Sequence, residues 1–267
     1  MPKISFISAN FVARALNYTG NAKSDWGTFD KATRAQASAD EFMRIAMEVS
    51  EAGFDAIDIW DAHCDWRKVG HEDDIEQIKG ACSQFDLAIT SYAGGLGAGD
   101  MQNVEKLFKF MKQLGTNLYA GGVWGADLPA VWPGVDEVCA RLGMRFAFEN
   151  HPEKSITEML GKIDDGKWKN VGIALDTGWC GTQGVDPVEA AKVLGDKLFI
   201  VHLKDVKAAG AHETCALGDG IVPIEAVVKY LTQSKWPGTF CIEHEPFDRD
   251  PMPEIIESVK RVRQWMR

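Results

Sequence analysis

Eight apolar runs rich in Ile, Val, Phe and Ala recur about every thirty residues. They are ISFISAN (4–10), FDAIDIWD (54–61), LAITSYAG (87–94), NLYAGGV (117–123), RFAFENH (145–151), VGIALDTG (171–178), LFIVHLKD (198–205) and TFCIEHE (239–245). Most are continuously apolar rather than alternating. That is the pattern of strands covered on both faces, as in a parallel sheet.

The gaps carry a helical period. Phe42, Ile45, Ala46 and Val49 share one helix face, as do Ile75, Ile78, Cys82 and Phe85. Val104, Leu107, Phe108, Met111 and Leu114 form another stripe, followed by Val135, Val138, Cys139 and Leu142, and by Ile156, Met159, Leu160 and Ile163. Ile224, Val227, Val228 and Leu231 come next, and Ile255, Val259 and Val262 close the chain. The weakest pattern spans 186–195, where Asp186 and Pro187 read as N-cap and first helical residue. Gly53 and Gly115 sit where helices should stop.

Strict strand–helix alternation admits a doubly wound sheet or a closed barrel. Eight units in 267 residues fit a single (β/α)8 TIM barrel over 1–267, an α/β fold whose usual size is about 250 residues. The segment 11–30 reads as the longest irregular piece, a rim or lid on the face where strands end. The glycines of YAGGLGAG (92–99) read as a flexible loop, since neither GK[ST] nor an opening GxGxxG accompanies them.

Net charge of −10 and a pI near 5.1 argue against nucleic-acid binding and for a small, neutral or metal-bridged ligand. Six scattered cysteines without a CxxC read as reduced, buried thiols. No signal-peptide core opens the chain, and no apolar run reaches the ~18 residues of a membrane span. The expectation is a cytoplasmic enzyme without membrane or nucleic-acid partners.

Four consecutive runs end on a metal-binding side chain: Glu149, Asp176, His202 and Glu243. In a barrel, strand C-termini line the active site, and neighbouring strands lie about 5 Å apart. Any one of these residues reads equally well as a solvated rim charge. Four at equivalent places point to one divalent cation, because carboxylates buried together need a counter-charge. The hard ligand set favours Mn²⁺, with Mg²⁺, Co²⁺ or Zn²⁺ as alternatives.

The segments FENHPE, LDTGW, VHLKDV and IEHE, with GDG and Pro223 following, resemble the sugar phosphate isomerase/epimerase superfamily of xylose-isomerase-like barrels, near ketose 3-epimerases and inosose dehydratases. The resemblance is clearest over 145–245. It implies Glu149, Asp176, His202 and Glu243 as metal ligands and Glu149 and Glu243 as the acid–base pair. It implies proton abstraction beside a carbonyl through an enediolate, a sugar or keto-sugar substrate, and a homodimer or homotetramer. A metal-dependent lyase, acting on a keto-inositol or a 3-oxo-glycoside, is the runner-up. A non-catalytic sugar-binding or partner subunit is the reading from another class. Trp179 replaces the His of the DTGH that many relatives carry, which disfavours a multinuclear nuclease site and weakens the inosose-dehydratase assignment.

Around this set, His151 follows Glu149 by two residues and so faces the same side of an extended chain, which suits a substrate hydrogen bond. Lys204 relates to His202 in the same way and can hold a substrate oxygen or pair with a ligand carboxylate. Trp124 and Trp179 are candidate platforms for a sugar face, and His212 lies on a loop able to bend over the substrate. Each also reads as ordinary packing at a barrel mouth. Trp60, ending the second run, is a further candidate platform; Asp61 and His63 are rim candidates, Asp205 reads as a loop residue, and Glu245 as a salt-bridge partner or a contact.

Overall fold

The structure is a computed structural model that describes residues 2–21 and 24–267. Strands β1 (Lys3–Ile7), β2 (Ala56–Trp60), β3 (Ala88–Gly97), β4 (Leu118–Trp124), β5 (Arg145–Glu149), β6 (Val171–Asp176), β7 (Leu198–Leu203) and β10 (Thr239–Ile242) form a closed parallel barrel. Closure pairs β1 with β10, Lys3 lying beside Thr239 and Phe6 beside Ile242. Strands β8 (Asp205–Val206) and β9 (Thr214–Cys215) form a separate antiparallel ribbon in the excursion after β7.

All eight apolar runs are barrel strands, and every periodic segment is a helix. In chain order these are α2 (Ala39–Glu51), α3 (Glu72–Gln84), α5 (Val104–Leu114), α6 (Leu128–Leu142), α7 (Ile156–Lys162), α9 (Pro187–Leu194), α10 (Ile224–Gln233) and α11 (Met252–Trp265). The Asp186 carboxylate accepts from the N–H groups of Val188 and Glu189, so the weakest pattern is a capped helix. No helix among the described residues is long and apolar enough to cross a membrane. All six cysteines are buried free thiols.

Three α-helices were not predicted: α1 (Trp26–Gln36), α4 (Ala98–Met101) and α8 (Thr177–Gln183). Helix α1 occupies part of the segment read as irregular; Ala22 and Lys23 of that segment lie outside the described residues. Residues 92–97, read as a loop, continue β3, and α4 follows directly. Gly94, at φ +159, allows the close approach of Asp61, whose carboxylate a side chain there would strike.

The alternation of the strands positions the site. On β5, Phe146 and Phe148 pack outward under the helices while Ala147 belongs to the inner cluster. The same holds for Ala174 on β6, Ile200 on β7 and Cys241 on β10. Two residues further along each strand, the inward direction falls on Glu149, Asp176, His202 and Glu243. The same interior parity that buries small apolar groups below delivers these four polar groups to the barrel mouth.

Candidate metal centre

Three of the four predicted ligands converge. Glu149, His202 and Glu243 each offer one donor atom, all within 4.8 Å of one another. His202 Nδ1 lies 2.5 Å from Glu149 Oε1 and 3.1 Å from Glu243 Oε2. Its single N–H is directed at Glu149, so Glu243 Oε2 is buried without a hydrogen bond, as is His202 Nε2. Orphaned buried polar atoms are costly. A cation among these three side chains would employ them, so the donor set fits a divalent metal ion.

Asp176 stands beside this trio rather than in it. It is buried, its Oδ1 accepts from the Trp179 N–H at 3.0 Å, and its Oδ2 lies 3.5 Å from Lys204 Nζ. The first contact caps α8 and explains why TGWCGTQ turns into helix immediately after β6. The Lys204 ammonium also sits 2.5 Å from Glu243 Oε1 and 2.9 Å from Glu245 Oε2. Of the two roles open to Lys204 in the sequence, pairing with carboxylates is the one the geometry displays. Glu245 is its salt-bridge partner.

Electrostatics follow from this crowding. Burial disfavours charge on His202, but Glu149 and Glu243 outweigh it and hold its pKa well above 6.5. Burial likewise opposes charge on Lys204, and Glu243, Glu245 and Asp176 overcome it. For Glu243 burial acts upward, yet Lys204 and His202 together hold its carboxyl far below the usual range. Burial, then the neighbouring carboxylates Glu243 and Glu149, push Asp176 up against the pull of Lys204. His202, through Nδ1, and the Lys204 ammonium thus divide the carboxylates between them.

The remaining predicted residues form an aromatic arc along one side of the mouth. Ring centroids are 5.4 Å apart for Trp124 and His151, 5.5 Å for His151 and Trp179, and 4.8 Å for Trp179 and His212. Trp124 is 53% exposed, and its benzo ring lies over Gly95 and Gly122, where any Cβ would collide with it. Two glycines therefore seat one face of this indole. His151 Nε2 is 3.7 Å from Glu149 Oε2. Trp60 is buried, packed edge-on against Trp26, and not available as a platform. Asp61 is a buried anchor for Arg34 and Arg67, and His63 is buried against Ser8.

Several supporting residues carried no role in the sequence reading. Asn150 bridges the ends of β5 and β6: its Oδ1 accepts from Asp176 N–H at 2.8 Å, and its Nδ2 donates to Asp176 O at 3.1 Å. Glu153, buried, accepts from His151 N–H at 2.6 Å. Thr177 Oγ1 accepts from Lys204 N–H at 2.9 Å, joining β6 to the end of β7. Asn150 and Glu153 lie in FENHPE and Thr177 in LDTGW, which was the available signal.

A family model described as the xylose isomerase-like TIM barrel matches residues 47–267. The chain belongs to the xylose isomerase-like TIM barrel family. No curated protein matches it significantly. Among solved structures, an L-ribulose 3-epimerase is similar with a TM-score of 0.75 at 16% identity, over 100% of this chain and 95% of that one. A probable 3-DHS dehydratase involved in petrobactin synthesis, from Bacillus anthracis, gives 0.73 at 16% identity, over 98% of each chain. A D-allulose 3-epimerase from Methylomonas sp. gives 0.72 at 14% identity, over 99% of this chain and 98% of the other. At these identities the likeness is one of fold.

Proposed function

We propose that the chain is a divalent-cation-dependent enzyme that abstracts a proton beside a carbonyl of a sugar or keto-sugar and returns it, as an isomerase or epimerase. The observation that carries this reading is the convergence of Glu149, His202 and Glu243 at the inward-facing strand ends, with His202 Nε2 and Glu243 Oε2 buried and unpartnered. Asp176 stands next to them as a third carboxylate. When bound, the cation supplies Lewis-acid stabilisation of the charge that develops on the carbonyl oxygen.

The chain's own residues do the rest. Glu149 and Glu243 flank His202 from two different strands, so a substrate above them meets a carboxylate from each side. One removes the carbon-bound proton, and the other delivers a proton to the neighbouring or opposite position. His151, fixed through its backbone by Glu153, offers its ring to a substrate oxygen. Trp124 presents its open face to the C–H face of a sugar. The L-ribulose 3-epimerase and D-allulose 3-epimerase of similar fold support this class.

Elimination is the second reading, favoured by the dehydratase among the structures of similar fold and by the shared first step. The deciding experiment is elemental analysis followed by deuterium exchange from heavy water with ketoses, keto-inositols and 3-oxo-sugars. Exchange with conserved mass supports isomerisation, and loss of water or an aglycone supports elimination. Full activity in a verified metal-free sample would reject the metal mechanism. A bound ion with neither turnover nor exchange on any substrate would support a binding protein instead.

A further inference from the structure

Glu243 is shared. Its Oε2 faces the cation position formed with Glu149 and His202, while its Oε1 lies 2.5 Å from Lys204 Nζ. The same ammonium lies 2.9 Å from Glu245 Oε2 and 3.5 Å from Asp176 Oδ2. Three carboxylates from two strand ends thus surround one side-chain cation, and one of them reaches across to the metal position. A carboxylate with one oxygen on each of two cations is the arrangement of a bridged two-cation site. The ammonium is delivered there by design of the neighbouring backbone. A Cβ at position 178 would strike Lys204 Cγ at 2.6 Å, so Gly178 in α8 leaves the lane along which the lysine stem runs. Thr177 fixes the lysine's own backbone N–H at 2.9 Å.

We propose that Lys204 fills the second cation position of a carboxylate-bridged pair, and that it thereby limits the protein to a single divalent ion. This inference rests on the metal reading of Glu149, His202 and Glu243. Lys204 is a positioning residue in this account: it holds Glu243 by one oxygen and presents the other. It also neutralises Asp176 and Glu245, which would otherwise form a ligand set for a second ion. A tethered ammonium cannot be exchanged or lost, so the stoichiometry is built into the chain.

The test compares wild type, Lys204→Ala and Lys204→Arg, each produced in Mn²⁺, stripped by chelation and titrated with Mn²⁺ by calorimetry. Electron paramagnetic resonance of the saturated proteins provides a second readout. Wild type and Lys204→Arg should take up one Mn²⁺ per chain, with the spectrum of an isolated ion. Lys204→Ala should take up two, with the spectrum of a spin-coupled pair. One ion in Lys204→Ala, or two in wild type, overturns the inference. Removing one partner of a buried charge cluster is destabilising, so Lys204→Ala is also followed by thermal melting. Its melting temperature should rise more on Mn²⁺ addition than that of wild type. Failure of Lys204→Ala to fold even in excess Mn²⁺, where Lys204→Arg folds, likewise overturns it. A wild type that binds no ion instead rejects the metal reading beneath it.

Discussion

Both oxygens of Glu243 have a destination, Lys204 for one and the cation position for the other, and its neighbours keep it ionised. Replacing it by glutamine keeps the shape and removes the charge. Glu243→Gln should lower kcat by roughly two to four orders of magnitude, the range of a positioned acid–base group. The far-ultraviolet circular dichroism should remain that of the folded barrel, because the side chain lies past the end of β10 and outside the apolar clusters. Turnover equal to wild type would remove Glu243 from the acid–base role. At this scale the inward placement of Glu149, Asp176, His202 and Glu243 was readable because strand parity is a local property: two residues beyond an inward Ala, Ile or Cys comes another inward position. The division between a converging trio and an Asp176 held by Lys204 was not readable. It depends on which carboxylates His202 and Lys204 each reach, and that is set by side chains from four strand ends at once.

Among the elements, the excursion after β7 shows how a loop that carries a candidate residue is held. Asp205 Oδ1 accepts from the N–H groups of Val206 at 2.9 Å and Val222 at 3.0 Å, and Oδ2 from Gly218 at 2.9 Å and Gly220 at 3.0 Å. Four main-chain donors spread over the turn therefore converge on one buried carboxylate. Asp205→Ala should destabilise the protein by about 3 kcal/mol or more, since hydrogen bonds to charged groups contribute roughly 1.5–3 kcal/mol each. It should also free the His212 ring from Trp179. Urea unfolding checks the first effect, and amide exchange over 206–222 the second. An unchanged urea midpoint would show that the carboxylate is dispensable. The sequence identified Asp205 as a loop residue, and the eight barrel strands and eight of the helices came from hydrophobic periodicity. Helix α1 escaped notice because only Phe29 and Thr33 along it are buried, too few for a stripe. Helix α8 escaped because a segment with two glycines has no intrinsic preference for helix, and the Asp176 cap supplies what propensity does not. The glycines of 92–97 suggested a loop, yet they serve an extended strand on which Trp124 and Asp61 pack closely.

For the whole molecule, closure brings together residues that no local pattern relates. Lys3 pairs with Thr239, and Asn10 donates to the carbonyl of Ile242 at 3.0 Å while accepting from the His244 N–H at 2.7 Å. Only the count of eight alternating units predicted that the first and last strands meet. Burial on this scale makes stability depend on pH. His63, enclosed where the segment after β1 and helices α1 and α2 meet the end of β2, has its pKa lowered to about 4. Burial is the main cause, Glu41 opposes it, and Arg14 and Arg34 reinforce it. The unfolded chain takes up this proton near pH 6.5, well before the folded protein does. The His63 contribution is therefore complete above pH 6.5 and declines as the pH falls toward 4. Between pH 6.5 and pH 5 the loss should be roughly 2 kcal/mol from this residue alone. His244, also lowered to about 4 chiefly by burial, adds in the same direction. Urea midpoints measured from pH 7.5 down to pH 5 should fall for wild type. His63→Gln, which retains a polar partner for Ser8 but cannot titrate, should give a shallower decline by the same amount. Parallel curves for the two proteins would mean that His63 takes up its proton in the folded barrel as readily as in the unfolded chain. The acid sensitivity would then rest on His244, because Asp176 and Glu245, raised to about 6 and about 7 chiefly by burial, take up protons in the fold ahead of the unfolded chain and so act in the opposite direction.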